Sequence, residues 1–134
     1  MFLYFYYYGI MISDDNILIL RLADMCAAMG TEPRLKILRL LLAAQPQGMV
    51  VGNIQEELGI PGSTLSHHLE KLRIAGLVNV RRERQFMWYS ANAESLQELL
   101  GFLYEECCSK NKVLDHRCVF PDQNSKRHSK RHRE

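Results

Sequence analysis

Three of the four cysteines in this 134-residue chain stand close together near its end: Cys107, Cys108 and Cys118. Thiolates are soft ligands that select soft metal and metalloid ions. With His116 the three thiols make a Cys-Cys-His-Cys set that suits tetrahedral Zn(II). A redox switch and simple packing in an interface are the other roles open to such thiols. The pattern by itself does not choose among these roles.

The residues around the thiols narrow the choice. Two glutamates precede the cysteine pair, and together with the negative end of a helix they disfavour the thiolate that a redox switch needs. A disulfide between adjacent cysteines is also strained. In an unbroken helix Cys107 and Cys118 would lie about 16 Å apart, too far to share one ion. A shared site therefore requires the chain to turn back near residues 109–111.

Composition places the chain among ordinary globular proteins. Hydrophobic residues make up 47% and charged residues 24%, and the length suits one domain. The formal net charge of +2 comes from the end, because residues 122–134 carry five Lys and Arg against two acids. Affinity for nucleic acid elsewhere must come from local patches. No P-loop, activated nucleophile or catalytic carboxylate pair is recognisable, so we do not expect an enzyme.

The first twelve residues, MFLYFYYYGIMI, are apolar and aromatic. They are too few to cross a bilayer, which takes about twenty residues, and they lack the basic flank of a signal peptide. We expect a cytoplasmic protein without a membrane segment, whose thiols stay reduced. The segment is either an extension upstream of the natural start or a strip that packs on a partner subunit. Three parts are predicted: this segment (1–12), a folded domain (13–110), and a cysteine-containing loop with a basic tail (111–134).

Helical periodicity and end signals predict three helices in the first half of the folded domain. The first follows the capping residue Ser13, and the second follows Thr31. The third is short and runs over residues 52–58. A last helix with a long apolar stripe starts at Glu94. Cys26 stands among small apolar residues of the first helix and is predicted to belong to the core.

The stretch GSTLSHHLEKLRIAGLV, residues 62–78, predicts a helix with two different faces. Its leucines recur at i, i+4 and i+7 and face the core. The opposite face carries small hydrogen-bonding groups near the helix N-terminus: Ser63, Thr64, Ser66 and His67. With the short helix and turn before it, this arrangement suits insertion into the DNA major groove. His68 is predicted to be a half-buried, hydrogen-bonded histidine at the edge of the core.

After this helix the pattern changes to the alternation of a β-hairpin. Two apolar runs, 77–80 and 86–90, form its strands. Between them lie the basic residues of the tip: Arg81, Arg82 and Arg84. Three arginines beside a groove-reading helix would neutralise phosphates and hold the register of the protein on DNA, whereas alone they would be interpreted as a solvated turn. Trp88 of the hairpin is predicted to lie in the core.

This order of elements, with the strings EPRLKILRLLL, STLSHHLEKLRIAGLV and VRRERQFMWYS, resembles the ArsR/SmtB family of metal-responsive repressors. The resemblance implies a mainly α fold with a small β-hairpin, a winged helix-turn-helix that dimerises through its first and last helices. It also implies a homodimeric repressor on double-stranded operator DNA. The DNA-facing positions would be Ser63, Thr64, Ser66 and His67. Two residues depart from the family pattern: Pro61 replaces a capping Ser or Thr, and Arg84 replaces a glycine at the wing tip.

The two usual sensor sites of the family are absent from this sequence. The third helix, VVGNIQEEL, lacks the thiols of the best-known arsenic sensors, and the last helix lacks the histidines of the zinc sensors. Cys107, Cys108 and Cys118 resemble the thiols of variant arsenic sensors, which bind As(III) at the end of the last helix. Three thiolates satisfy the three bonds of As(III) or Sb(III). The resemblance therefore implies a repressor released by these ions; the alternatives are a zinc- or redox-responsive repressor of the same fold, or a thiol metal-binding protein without operator function.

Overall fold

The computed structural model describes the backbone of residues 14–108 and the side chains of residues 14–105. The apolar segment 1–12, Cys118 and the basic tail lie outside this described part. The elements within it are five helices and three strands: α1 (Asp14–Met29), α2 (Glu32–Ala43), β1 (Met49–Val50), α3 (Val51–Leu58), α4 (Gly62–Ile74), β2 (Val78–Glu83), β3 (Phe86–Ala91) and α5 (Ala93–Cys108). The predicted mainly α fold with a β-hairpin is confirmed, with one additional short strand.

The described residues belong to two compact units, 14–96 and 97–108. The first contains α1 to α4, the sheet and the first turn of α5, and the second is the remainder of α5. Among the described helices, none has the length and apolarity needed to cross a membrane.

The helices α2 to α5 begin within one residue of the positions that the sequence predicts, and α1 begins at the first described residue. α1 starts with two acids in its first turn, which the positive end of the helix macrodipole favours. Thr31 precedes α2 in an extended conformation, and Pro33 occupies the first turn, where its missing N–H costs nothing. The Thr31 hydroxyl does not cap the helix: it is buried and has no hydrogen-bond partner among the described residues. The start of α2 therefore rests on proline and packing rather than on a side-chain cap.

The core of the first unit consists of aliphatic side chains from its helices and from the sheet. Its members are Leu22, Met25, Ile37, Leu38, Leu41, Ile54, Leu65, Leu69, Leu72, Leu77, Val78 and Ala91. The three leucines of α4 are at most 1% exposed, as their spacing predicts. Because α4 is anchored along this one stripe, its opposite face is turned to solvent.

The sheet has the strand order β1-β3-β2, with both pairings antiparallel. The strand β1 was not predicted, because two residues are too few to show an alternating pattern. It pairs Met49 with Tyr89 and Val50 with Trp88. Gly48, with φ of +83°, allows this approach, since a Cβ there would collide with the carbonyl oxygen of Tyr89. The added strand ties the hairpin to the start of α3.

The β2–β3 hairpin, which we call the wing, closes with a two-residue turn at Arg84 and Gln85, between the paired residues Glu83 and Phe86. Arg84 takes φ of +58°, a left-handed conformation that a glycine adopts without penalty. A side chain with a Cβ costs about 1–2 kcal/mol there. The departure from glycine at this position therefore leaves the turn intact but strained.

Candidate nucleic-acid interface

The turn between α3 and α4 sets the direction in which α4 leaves the core. α3 ends at Leu58 and is capped by Gly59, which adopts the left-handed conformation with φ of +62° and donates its N–H to the Gln55 carbonyl at 2.8 Å. Pro61 follows in an extended conformation and stands immediately before the first helical residue, Gly62. Proline at this place needs no N–H partner. The helix therefore begins at Gly62 without a side-chain cap from Pro61.

All four residues predicted to face DNA from α4 are exposed and lie in its first two turns: Ser63, Thr64, Ser66 and His67. The Ser66 hydroxyl donates to the Gly62 carbonyl at 3.0 Å, so its proton is engaged while its lone pairs remain available. Ser63 and Thr64 make no side-chain hydrogen bond to any residue in 14–105. These hydroxyls are therefore free to bind an external partner.

His68 stands beside this exposed face, with its ring centroid 6.1 Å from that of His67. Burial lowers the pKa of His68, and the charges of Arg34 and His67 lower it further. The ring is half-buried, as predicted, but the predicted hydrogen bond is wrong at one nitrogen: Nδ1 is buried and has no partner among the described residues.

The three wing arginines, grouped together by the sequence, have different surroundings. Arg81 donates from Nη1 to the Gln47 carbonyl at 2.7 Å, and its guanidinium lies 5.1 Å from the centre of the Trp88 ring. Its Nε is also 3.9 Å from the carboxylate of Glu83. Arg81 therefore joins the wing to the loop before β1 and is largely occupied within the protein.

Arg82 and Arg84 are exposed at the tip of the wing. Arg82 donates from Nε to the Arg84 carbonyl at 3.3 Å, a contact that leaves the charge of its guanidinium uncompensated. Within residues 14–105 neither side chain forms an ion pair. The tip thus presents two available cations on the same projecting hairpin.

Two residues predicted to be buried are not. Cys26 is exposed on α1, where Leu22 and Met25 are the buried residues. Trp88 is half-buried on the outer face of the wing, where the Arg81 guanidinium covers it. Small or aromatic character alone did not reveal which face these residues occupy.

The thiols predicted to bind a metalloid lie outside the residues whose side chains the structure describes. Cys107 and Cys108 are the last two residues of α5, but their side chains lie outside the described residues, as does all of Cys118. Elsewhere, no three His, Cys, Asp or Glu side chains in residues 14–105 are grouped so as to hold a metal ion. The thiol site remains a prediction from the sequence.

Two surface features of the wing were missed by the sequence interpretation. The carbonyl of Gln47 accepts the Arg81 hydrogen bond, a role that no residue-type signal indicates. Phe86 and Met87 are both exposed, although they are adjacent in a strand and the hairpin was predicted to alternate. Their position next to the basic tip of the hairpin is the sequence feature that could have indicated their exposure.

Comparison with known proteins places these features in a wider group. A family model described as a helix-turn-helix domain matches residues 29–81. The nodulation protein NolR of Rhizobium meliloti is 37% identical over 60% of this chain and 64% of its own length, so the match covers less than two thirds of NolR. The transcriptional activator HlyU of Vibrio cholerae is 35% identical over 63% of this chain and 76% of HlyU. The transcriptional repressor SdpR of Bacillus subtilis is 34% identical over 57% of this chain and 81% of SdpR.

Solved structures show the same fold. An ArsR-like transcriptional regulator from Rhodococcus sp. RHA1 superposes with a TM-score of 0.61 at 22% identity, over 68% of this chain and 83% of that protein. The homodimeric winged helix-turn-helix DNA-binding domain of Mb0332 from Mycobacterium bovis superposes with a TM-score of 0.55 at 28% identity, over 78% of this chain and 94% of that domain. The winged helix-turn-helix interpretation of α3, α4 and the wing is thereby confirmed.

Proposed function

Because this chain belongs to the ArsR/SmtB family of winged-helix transcription regulators, we propose that it is a cytoplasmic repressor that binds operator DNA as a homodimer. The second part of the proposal is that binding of As(III) or Sb(III) to three cysteine thiolates releases the protein from DNA. The thiolates are those of Cys107, Cys108 and Cys118.

The observation that carries the DNA-binding role is the pairing of two exposed surfaces. The first two turns of α4 present hydroxyl and imidazole groups that can reach base edges in the major groove. The wing tip presents Arg82 and Arg84, whose charges suit phosphates. Phosphate contacts orient a protein on DNA and base contacts give it specificity, so the two surfaces have complementary tasks.

The homodimer is supported by apolar side chains that the single chain leaves uncovered. On α1 these are Ile17, Ile19 and Leu20, each about half exposed or more. In the second unit, Leu100 and Leu103 of α5 are also exposed. Large exposed apolar surfaces favour burial against a partner, and Mb0332, which has the same fold, is a homodimer. A two-fold arrangement would place two α4 helices on half-sites about 34 Å apart.

Repression is the direction of regulation that we propose. SdpR is a transcriptional repressor, whereas HlyU is a transcriptional activator, and both share this domain with the chain. A dimer on an operator needs no further surface to block access to DNA.

The inducer proposal is supported by the chemistry of the donor set. Three soft thiolates suit a trivalent soft ion, and the vicinal pair Cys107 and Cys108 belongs to α5 (Ala93–Cys108). If α5 contributes to the dimer, a change at its end alters the spacing of the two α4 helices. The three thiolates with His116 could instead hold Zn(II), which is the leading alternative. Redox response, and a thiol metal-binding protein that does not bind an operator, are the others.

The direct test is fluorescence anisotropy of the reduced protein on DNA from upstream of its own gene, titrated with arsenite, antimonite and zinc separately. We expect tight binding that arsenite or antimonite abolishes and zinc does not. The variants Cys107→Ser and Cys108→Ser should bind DNA normally and lose the response. Cys26→Ser is the matched control, because Cys26 is an exposed thiol on another helix and should leave the response unchanged. A double variant at 107 and 108 that still responds to arsenite would refute the thiol site.

A further inference from the structure

A cavity of about 420 Å³ lies among α1, the start of α2 and the end of α4. Its apolar lining comes from the side chains of Ala27, Ala28, Ile74 and Ala75. Because Ile74 is 69% exposed, the cavity opens to solvent at the end of α4. The volume lies within the usual range for sites that bind small organic molecules. Such a lining can cover the hydrocarbon part of a small ligand.

Three charged side chains complete the lining of the cavity: Asp24 of α1, Arg34 of α2 and Lys71 of α4. Within residues 14–105, none of these three side chains forms an ion pair or a hydrogen bond. Two cations against one acid leave the lining with a formal charge of +1. A ligand with a single negative charge would balance it.

Arg34 is the charged group with the greatest need of a partner. Its side chain is half-buried, and its Nε is buried without a hydrogen-bond partner among the described residues. A buried donor that is left unpaired costs free energy. A carboxylate matches the planar fork of a guanidinium and can accept two hydrogen bonds from it. A carboxylate ligand in the cavity would therefore supply the acceptor that the fold does not provide.

We propose that this cavity binds a small organic carboxylate, whose charged group is held by Arg34 and Lys71 and whose hydrocarbon part packs against the alanines and Ile74. The charge of the lining favours a monoanion over a dianion such as a phosphate monoester, because Asp24 repels a second negative charge. The site is separate from the predicted thiol site. It goes beyond the proposed function and does not depend on DNA binding.

A neighbouring histidine reports the charge in the cavity. The pKa of His68 is lowered chiefly by burial and further by the positive charges of Arg34 and His67. A carboxylate bound to Arg34 would offset the charge of that guanidinium. The pKa of His68 should therefore rise when the ligand binds, and titration of this ring detects an anion at Arg34.

The test uses hexanoate as the probe, hexanamide as a neutral molecule of the same size, and acetate as the same charge without the longer hydrocarbon part. Because the side chains of Ala27, Ala28 and Ala75 line the cavity, NMR of the full chain with isotope-labelled alanine methyl groups locates the ligand. We expect hexanoate to shift these three signals and to leave that of Ala91, in the core, unchanged. Hexanoate should bind about tenfold more tightly than hexanamide or acetate.

Two variants remove the proposed cations one at a time. Arg34→Gln should weaken hexanoate binding about tenfold and abolish the rise in the pKa of His68, with hexanamide binding unchanged. Lys71→Gln should weaken hexanoate binding about threefold, because an exposed cation is screened by solvent. Its unfolding temperature should match that of the wild type, so it tests the site even if Arg34→Gln is destabilised. The matched control is Arg73→Gln, which should change nothing, because Arg73 pairs with Glu70 at 2.6 Å and does not line the cavity.

The inference is overturned if hexanoate and hexanamide bind with equal affinity, or if hexanoate does not shift the three cavity alanines. It is also overturned if the two variants reduce the salt dependence of DNA binding and leave hexanoate binding unchanged, since the cations would then contact phosphates. A change of oligomeric state in Lys71→Gln, measured by light scattering, would overturn it as well, because a second copy of the chain would then cover the cavity. None of these measurements on hexanoate requires the wild type to bind an operator, so the proposed function can fail while the carboxylate site stands.

Discussion

The helix α4 and the wing are both expected to meet DNA, but they are held in place by different forces. Three leucines that are almost fully buried fix the rotation of α4, so burial of apolar area determines which residues face outward. The wing tip has no core of its own. Its position depends on strand pairing, on the contacts of Arg81 and on a turn that is strained at Arg84.

This difference determines which residues of the two surfaces can be substituted without loss of stability. Residues on the exposed face of α4 can be exchanged without loss of stability, because the buried face maintains the geometry. In the wing the same few residues serve stability and surface chemistry, so substitutions there affect both. The comparison predicts that a substitution in the buried stripe of α4 has the largest effect, and that substitutions of individual surface residues have smaller effects.

The largest expected effect is that of Leu69→Ala. Leu69 is 1% exposed, and truncation of a leucine at such a site costs about 2–5 kcal/mol in the free energy of unfolding, because it leaves a cavity. Ile74→Ala in the same helix should change it by less than about 0.5 kcal/mol, since Ile74 is exposed. Urea denaturation followed by circular dichroism measures both. Equal decreases for the two variants would mean that the buried stripe does not anchor α4.

The sequence was sufficient to predict α4 because a helix anchored on one face leaves a regular spacing of leucines. It also indicated the four polar residues of the outer face, since they are the complement of that spacing. The wing was predicted only as a hairpin, because its side-chain roles depend on long-range contacts. Arg81 was grouped with Arg82 and Arg84 although its partner, the Gln47 carbonyl, is 34 residues away. A hydrogen bond to a main-chain acceptor so far away along the chain cannot be recognised from residue types.

The next effect concerns specificity at the exposed face of α4. His67→Ala should weaken binding to the operator by about 1–3 kcal/mol if the imidazole contacts a base edge. Binding to unrelated DNA and the salt dependence should stay unchanged, because every phosphate remains as well neutralised as before. Anisotropy titrations on the operator and on a scrambled duplex of equal length test this. A uniform weakening on both duplexes would assign His67 to the DNA backbone instead.

Arg81 and Arg82 are adjacent in the wing, but their substitutions are expected to have different effects. Arg82→Ala should weaken binding to all DNA sequences and reduce the slope of log K against log salt by about 0.9 for each phosphate that the variant no longer neutralises. Its stability should change by less than about 0.5 kcal/mol. Arg81→Ala should instead lower the free energy of unfolding by about 1 kcal/mol, because it removes the Gln47 hydrogen bond and the packing against Trp88. The interpretation fails if Arg81→Ala changes the salt slope as much as Arg82→Ala does.

A smaller effect is expected from relief of strain at the wing tip. Arg84→Gly should raise the free energy of unfolding by up to about 1 kcal/mol, because glycine adopts a positive φ without a Cβ clash. Arg84→Ala is the matched control, since it removes the same cation but retains the strain. Both variants should weaken DNA binding equally, and only the glycine variant should unfold at a higher temperature. Equal melting temperatures would show that the turn is not strained.

The smallest effect is a pH dependence that originates in His68. Its pKa lies below the ordinary 6.5 in the folded chain, chiefly through burial and further through the charges of Arg34 and His67. Well above pH 6.5 the ring is neutral in both folded and unfolded chains and contributes no pH dependence. As the pH falls through 6.5 the unfolded chain takes up the proton first, so the folded state loses stability.

We expect His68→Gln to flatten the decline in unfolding free energy between about pH 7.5 and 5.5, because glutamine occupies the half-buried position without titrating. Urea denaturation at each pH measures this decline, and His67→Gln, at the exposed neighbouring ring, is the matched control. An unchanged decline in the His68 variant would mean that other groups carry it. In that case, protonation of His68 would not lower the stability of the folded chain, although its Nδ1 is buried without a partner among the described residues.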